Sequence, residues 1–148
     1  MMMPNVRIAL LAFYWVSLSS ASDAVGIWRV NPARSTVRYS NIAAIGFQPH
    51  AKGEVFTLYR FDDSRATTSS TILYFDGRDR DLEDFGCRGT QSSWRLDEGT
   101  VEIARNCTGG QRIRLIRRLS PRHNELILEV TEETKGDRMD RRMVLERK

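Results

Sequence analysis

The chain is poor in cysteine, histidine and proline, and its one long apolar run lies near the N-terminus. Its 148 residues include two cysteines, two histidines and four prolines. Ligand types for a metal site are therefore scarce, and a dense disulfide scaffold is excluded. The length instead suits a single domain with a hydrophobic core of its own.

Side chains suited to acid–base or nucleophilic chemistry are also scarce. His50 and His123 lie in stretches rich in turn-forming residues, and no serine or cysteine nucleophile stands in a recognisable setting beside them. The acidic cluster from Asp76 to Asp84 lacks the alternate-ligand spacing of a calcium loop, so we interpret it as a solvated hairpin turn. We predict no enzyme activity, no metal site and no cofactor.

The formal net charge of +4 comes from 23 basic and 19 acidic residues that are interspersed along the chain. Nearly all of the basic residues are arginine, which favours two-pronged contacts with carboxylates or phosphates. No uninterrupted basic run or aromatic-basic platform of the kind that binds nucleic acid is present. We predict no nucleic-acid partner.

The first two dozen residues have the composition of a secretory signal peptide. Ile8–Val16 is apolar and uncharged, but it is too short to span a bilayer, which needs about 20 residues. Small residues follow at the positions that a signal peptidase reads. We expect a signal peptide over residues 1–21, or alternatively 1–24, and an exported domain over 22–148, periplasmic or secreted and without a stable membrane anchor.

Export to an oxidising compartment favours a disulfide between the two cysteines. Cys87 and Cys107 flank two short β-type runs that are separated by a turn at Asp97-Glu98. Folding that hairpin brings the two cysteines nearly opposite each other. We therefore predict a bond between Cys87 and Cys107.

The rest of the chain has the pattern of an antiparallel sandwich or barrel, because short β-type runs recur every 8 to 12 residues with turn residues between them. The longest irregular stretch is predicted over residues 40–53, which contain Gly46 and Pro49. We predict about eight strands, at Gly26–Val30, Glu54–Phe61, Ser70–Phe75, Thr90–Leu96, Thr100–Asn106, Gln111–Leu119, Glu125–Glu133 and Arg141–Arg147.

The hairpin from Gln111 to Glu133 has a definite predicted register. If Leu119 pairs with Leu126, then Arg117 faces Leu128 on the apolar side. A charge buried there needs a partner or a ligand. The alternative is that a bulge or strand end turns Arg117 outward.

Several short motifs resemble those of small secreted bacterial lipocalin-like proteins. Gly26-Ile-Trp28 and the following Asn-Pro-Ala-Arg-Ser segment are similar to that group's opening strand. Further matches occur in the same order along the chain, at 74–79, 95–102, Arg117-Arg118 and 144–148. The resemblance implies an all-β, antiparallel up-and-down calycin-type barrel. It also implies that Trp28, with Gly26 beside it in the motif, plugs one end of the barrel beneath a basic side chain, for which Arg141, Arg142 and Arg147 are the candidates.

Two functions fit this interpretation. In the first, the barrel binds a small apolar or amphipathic ligand, lined by Tyr59, Tyr74 and Trp94, with Arg117 holding an anionic group. In the second, the protein acts on an envelope protein as an interaction or inhibitor module, through loops such as residues 40–53.

The signal-peptide interpretation predicts a mature N-terminus at Ser22 or Val25. N-terminal sequencing of the exported protein tests it. Recovery of the exported protein with Met1 intact would contradict the prediction.

Overall fold

The computed structural model describes residues 24–36, 41–84 and 86–147, so the predicted signal peptide lies almost wholly outside the described residues. Within these ranges one short 3-10 helix, Pro32–Arg34, follows the first strand. No helix among the described residues has the length and apolarity needed to cross a membrane. The strands are β1 (Gly26–Val30), β2 (Ile42–His50), β3 (Gly53–Asp62), β4 (Arg65–Leu73), β5 (Arg80–Asp84), β6 (Cys87–Asp97), β7 (Thr100–Cys107), β8 (Gln111–Leu119), β9 (Glu125–Thr134) and β10 (Asp137–Arg147).

These strands form one antiparallel up-and-down sheet that curls into a nearly closed barrel. The order across the sheet is β4-β3-β2-β1-β10-β9-β8-β7-β6-β5. Strands adjacent in sequence therefore pair, and β1 pairs with β10, with Trp28 opposite Arg147. The two edge strands, β4 and β5, lie side by side without a backbone ladder between them in the described chain. We call this unpaired line the seam.

The fold class is confirmed, and the described residues form ten strands where the sequence predicts about eight. The two missed strands are β2, within the predicted irregular stretch 40–53, and β5, within the predicted acidic turn. The sequence suggests that Gly46 is a turn residue, but in the structure it lies within β2. The absence of a side chain there lets the ring of Tyr59 lie across β2, since a Cβ at Gly46 would stand 3.2 Å from that ring. In β5 only Leu82 is apolar and buried, so alternation was not recognisable from the sequence.

Alternating side chains of the strands point into the barrel interior. The hairpin register is confirmed, with Leu119 opposite Leu126 and Arg117 opposite Leu128. Because one face of each strand points inward, a continuous apolar core forms at one end of the barrel. Its largest fully buried apolar side chains include Trp28, Ile45, Phe47, Phe56, Leu126 and Leu145.

Trp28 closes this end of the barrel, which we call the closed end. Its indole is fully buried, and its Nε1 donates to the carbonyl oxygen of Ala24 at 2.8 Å. Of the three candidate arginines, Arg147 covers the indole, with its guanidinium carbon 4.4 Å from the ring centroid. Arg147 also donates to the backbone carbonyls of Val25 and His123, so one side chain joins both chain segments at this end.

At the opposite end, which we call the cavity end, the disulfide joins Cys87 at the start of β6 to Cys107 at the end of β7. The predicted bond is confirmed. Leu82 and Ile113 pack against it, so the bond belongs to a small second core. The disulfide therefore links β7 to β6, the strand with which the short edge strand β5 pairs.

Replacing both cysteines, Cys87→Ala with Cys107→Ala, should lower the free energy of unfolding by about 3 kcal/mol, because the bond closes a loop with a sequence separation of 20 residues. Urea denaturation followed by circular dichroism measures the change. An unaltered unfolding midpoint and slope would contradict the prediction.

Candidate functional site

The barrel interior holds a cavity of about 320 Å³ at the end opposite Trp28. We call it the interior cavity. Strands β2, β3 and β7 to β10 contribute to its wall, together with Asn41 and Gly86. Its apolar side is formed by Leu58, Ile113, Leu115, Leu128, Val130 and Met143.

Three arginines, Arg60, Arg105 and Arg141, face this apolar wall inside the same cavity. Strand alternation explains their position. Arg60 follows buried Phe56 and Leu58 at a spacing of two, and Arg105 follows Val101 and Ile103 in the same way. The cavity is therefore amphipathic, with cationic groups opposite aliphatic ones.

Arg105 is the most deeply held of these arginines, with a relative exposure of 6%. Its Nε donates to Oε1 of Gln91 at 2.9 Å, and its Nη1 donates to Oδ2 of Asp84 at 2.9 Å. The third nitrogen, Nη2, is buried and has no hydrogen-bond acceptor among the described residues. A buried donor of this kind is costly unless an acceptor arrives from elsewhere.

The cavity carries a net positive charge. Its lining includes three arginines and one acidic residue, Glu132. Arg141 contacts Glu132 at 3.2 Å, and Arg105 contacts Asp84. Burial lowers the pKa of Arg105 and nearby Arg60 lowers it further, against the opposing attraction of Asp84. An added anion would relieve both unfavourable effects.

The described residues contain no cluster of three or more histidine, cysteine or acidic side chains placed to hold a metal ion. The cavity lining combines arginine and aliphatic side chains with the polar side chains of Asn41, Gln111 and Glu132. Such a cavity can bind and orient a molecule.

Arg117 points inward, as the predicted register requires, but it lies outside the cavity lining. It forms a buried ion pair with Glu54, Nη1 to Oε1, and stacks 4.3 Å from the ring centroid of Phe47. Burial lowers the pKa of Arg117, and the charge of Glu54 opposes that shift. The pair belongs to the core at the closed end, so Arg117 is not brought to the cavity.

Tyr59 and Trp94, two of the three aromatic residues predicted to line a ligand, lie on the outer face of the barrel. Tyr59 alternates with buried Leu58 and crosses Gly46, and Trp94 lies opposite Glu102. Their placement corrects the prediction, because an aromatic residue in a strand faces inward only if its position has the inward parity.

Tyr74 lies beside the seam, next to a groove of about 400 Å³ that we call the lateral cleft. Arg80 stacks on its ring, 3.7 Å from the centroid, and forms an ion pair with Asp76. The wall of the cleft includes Thr71 and Gln91. Gln91 also accepts a hydrogen bond from Arg105, which lies in the wall of the interior cavity. This hydrogen bond therefore lies between the lateral cleft and the interior cavity.

The sequence interpretation missed Arg60, Arg105 and Arg141 as cavity residues. For Arg105 a signal was available, since Val101, Ile103, Arg105 and Cys107 alternate and share one face. For Asp84 and Gln91 no such signal existed, because they are brought to Arg105 by the pairing of β5 with β6 and β6 with β7.

No family model and no curated protein sequence matches the chain. Among solved structures, the chain is similar to a Schistosoma mansoni fatty acid binding protein in complex with arachidonic acid. The TM-score is 0.59 at 12% sequence identity, and the match covers 87% of this chain and 98% of that one. At this identity the likeness shows the fold, a calycin-like barrel.

The buried ion pair yields a stability prediction. Glu54→Gln should lower the free energy of unfolding by about 3–5 kcal/mol, because it leaves Arg117 charged and enclosed. Glu129→Gln, which removes the exposed partner of Arg118, should cost less than about 1 kcal/mol. Urea denaturation measures both, and equal effects of the two substitutions would refute the assignment.

Proposed function

We propose that this protein binds a small amphipathic anion in its interior cavity. The apolar part of the ligand lies against the aliphatic wall, and its anionic group accepts a hydrogen bond from Arg105. This is the first of the two functions that the sequence suggested, with the anchoring role assigned to Arg105 in place of Arg117.

The observation that carries the proposal is the Nη2 atom of Arg105. It is buried and has no acceptor among the residues that the structure describes, while the other two nitrogens of the same guanidinium are bonded. A ligand carboxylate or similar anion supplies the acceptor and offsets the net positive charge of the cavity lining. The fatty acid binding protein that shares this fold is one in which an acid with an apolar chain is bound, which supports the choice of ligand class.

The size of the cavity favours a short ligand. Its volume of about 320 Å³ stands at the lower limit of the roughly 300–1,000 Å³ common for ligand pockets. Taking ~30 Å³, the space of one water in the liquid, as the share of each non-hydrogen atom, the cavity accommodates roughly ten such atoms. Octanoate, a carboxylate with an eight-carbon chain, is a suitable probe.

The proposal includes the compartment. The disulfide between Cys87 and Cys107 is compatible with an oxidising environment. Together with the signal peptide expected over 1–21, it supports a periplasmic or secreted binding protein that carries its ligand outside the cytoplasm.

Calorimetric titration with octanoate and 1-octanol tests the function. The wild-type protein should bind octanoate more tightly than the uncharged alcohol. Arg105→Met combined with Asp84→Asn, which removes both charges of this ion pair together, should weaken octanoate binding by roughly tenfold or more, since a hydrogen bond to a charged group is lost. Octanol binding should change little.

Arg118→Met is the matched control, because Arg118 is half-exposed on the outer face and pairs with Glu129. It should bind both probes as the wild type does. Equal affinity of the wild type for octanoate and octanol, or an unchanged octanoate affinity in the Arg105 variant, would contradict the proposal.

A further inference from the structure

The hydrogen bond between Arg105 and Asp84 joins Nη1 of the guanidinium to a single carboxylate oxygen, Oδ2. Arginine and carboxylate groups frequently form two parallel hydrogen bonds. Here Oδ2 of Asp84 accepts from Nη1 of Arg105, while Oδ1 accepts from the hydroxyl of Ser69. The second terminal nitrogen of the guanidinium, Nη2, is left as the buried donor that faces no protein acceptor among the described residues.

Ser69 reaches Asp84 across the seam. It lies on β4 opposite Leu58, so its side chain shares the inward face, and Asp84 ends β5 on the other side of the seam. Because no backbone ladder joins these strands in the described chain, the side-chain bond is not a by-product of sheet pairing. It fixes the orientation of a carboxylate that is only 4% exposed.

A parallel contact holds the other partner of Arg105. Oε1 of Gln91 accepts from Nε of Arg105, and Nε2 of Gln91 donates to Oγ1 of Thr71 on β4 at 3.2 Å. Both groups that position the guanidinium are thus themselves anchored on β4. The edge strand sets the direction in which Arg105 presents its remaining donor.

We infer that Ser69 determines the preference of the cavity for anionic ligands, an inference that rests on the proposed function. By holding one oxygen of Asp84, it prevents that carboxylate from occupying both terminal nitrogens of Arg105. Without the hydroxyl, Asp84 turns its second oxygen onto Nη2 and satisfies the guanidinium internally. A ligand anion then has to displace an intramolecular carboxylate. Ser69 is a positioning residue, since it acts through Asp84 and lies outside the cavity lining.

The test compares the ratio of octanoate to 1-octanol affinity in three variants. Ser69→Ala should lower this ratio by roughly tenfold, because one charge-assisted hydrogen bond to the ligand is lost. Ser69→Thr, which keeps the hydroxyl, should restore it. Ser70→Ala is the matched control: Ser70 is on the same strand but bonds Thr57 at 2.8 Å on the outer face. It should leave the ratio unchanged.

A double-mutant cycle identifies Asp84 as the intermediary. In an Asp84→Asn background there is no carboxylate to rotate onto Nη2, so adding Ser69→Ala should no longer change the affinity ratio. A persistent tenfold effect in that background would overturn the inference. So would a Ser69→Ala single variant that keeps the wild-type ratio or loses affinity equally for both probes.

A measurement without ligand separates failure of this inference from failure of the proposed function. In nuclear magnetic resonance spectra of the ligand-free protein, Ser69→Ala should slow the solvent exchange of the Nη2 protons of Arg105, and Ser70→Ala should not. If the wild type does not bind octanoate more tightly than 1-octanol, the proposed function is contradicted. The specificity role of Ser69 is then contradicted as well, whatever the exchange rates show. If the wild type prefers octanoate, and Ser69→Ala changes neither the affinity ratio nor the exchange rate of the Nη2 protons, only the inference about Ser69 is contradicted.

Discussion

The guanidinium of Arg105 is the point at which four strands of the barrel meet. Through Asp84 and Gln91 it connects β7 to β5 and β6, and through Ser69 and Thr71 these reach β4. The sheet has no backbone ladder along this line in the described residues, so side-chain hydrogen bonds complete the closure of the barrel. The bond between Arg105 and Gln91 is buried and the other three are partly buried, so each is stronger than its counterpart on the surface.

The two ends of the barrel differ in the surroundings of their buried charged side chains. At the closed end, Arg117 and Glu54 neutralise each other beside Phe47, and Arg147 covers Trp28. At the cavity end, three arginines and one acidic residue line the cavity, and Nη2 of Arg105 has no acceptor among the described residues. One barrel therefore combines a packed core at the closed end with an interior cavity whose lining is positively charged.

Much of the fold was predictable because its signals are local. The register of the β8–β9 hairpin followed from alternation and one turn, and the disulfide followed from a hairpin that places Cys87 near Cys107. Strands β2 and β5 were not recognisable, because Gly46 and the charged residues around Leu82 carry no strand signal on their own. Gly46 is explained by a ring on the neighbouring strand, and Leu82 by a small core that includes the disulfide.

The all-β class, the antiparallel hairpins and the pairing of the cysteines were predictable from the amino-acid sequence, since each depends on alternation and turns between neighbouring residues. The three-dimensional fold was needed to show that Arg117 points inward and pairs with Glu54, that Tyr59 and Trp94 face outward, and that Arg105 is the candidate anchor. Electrostatic partners meet across the barrel interior, far from each other in sequence. Glu54 and Arg117 are 63 positions apart, and Asp84 and Arg105 are 21 apart. No local sequence pattern indicates which charged residues come together when the barrel closes.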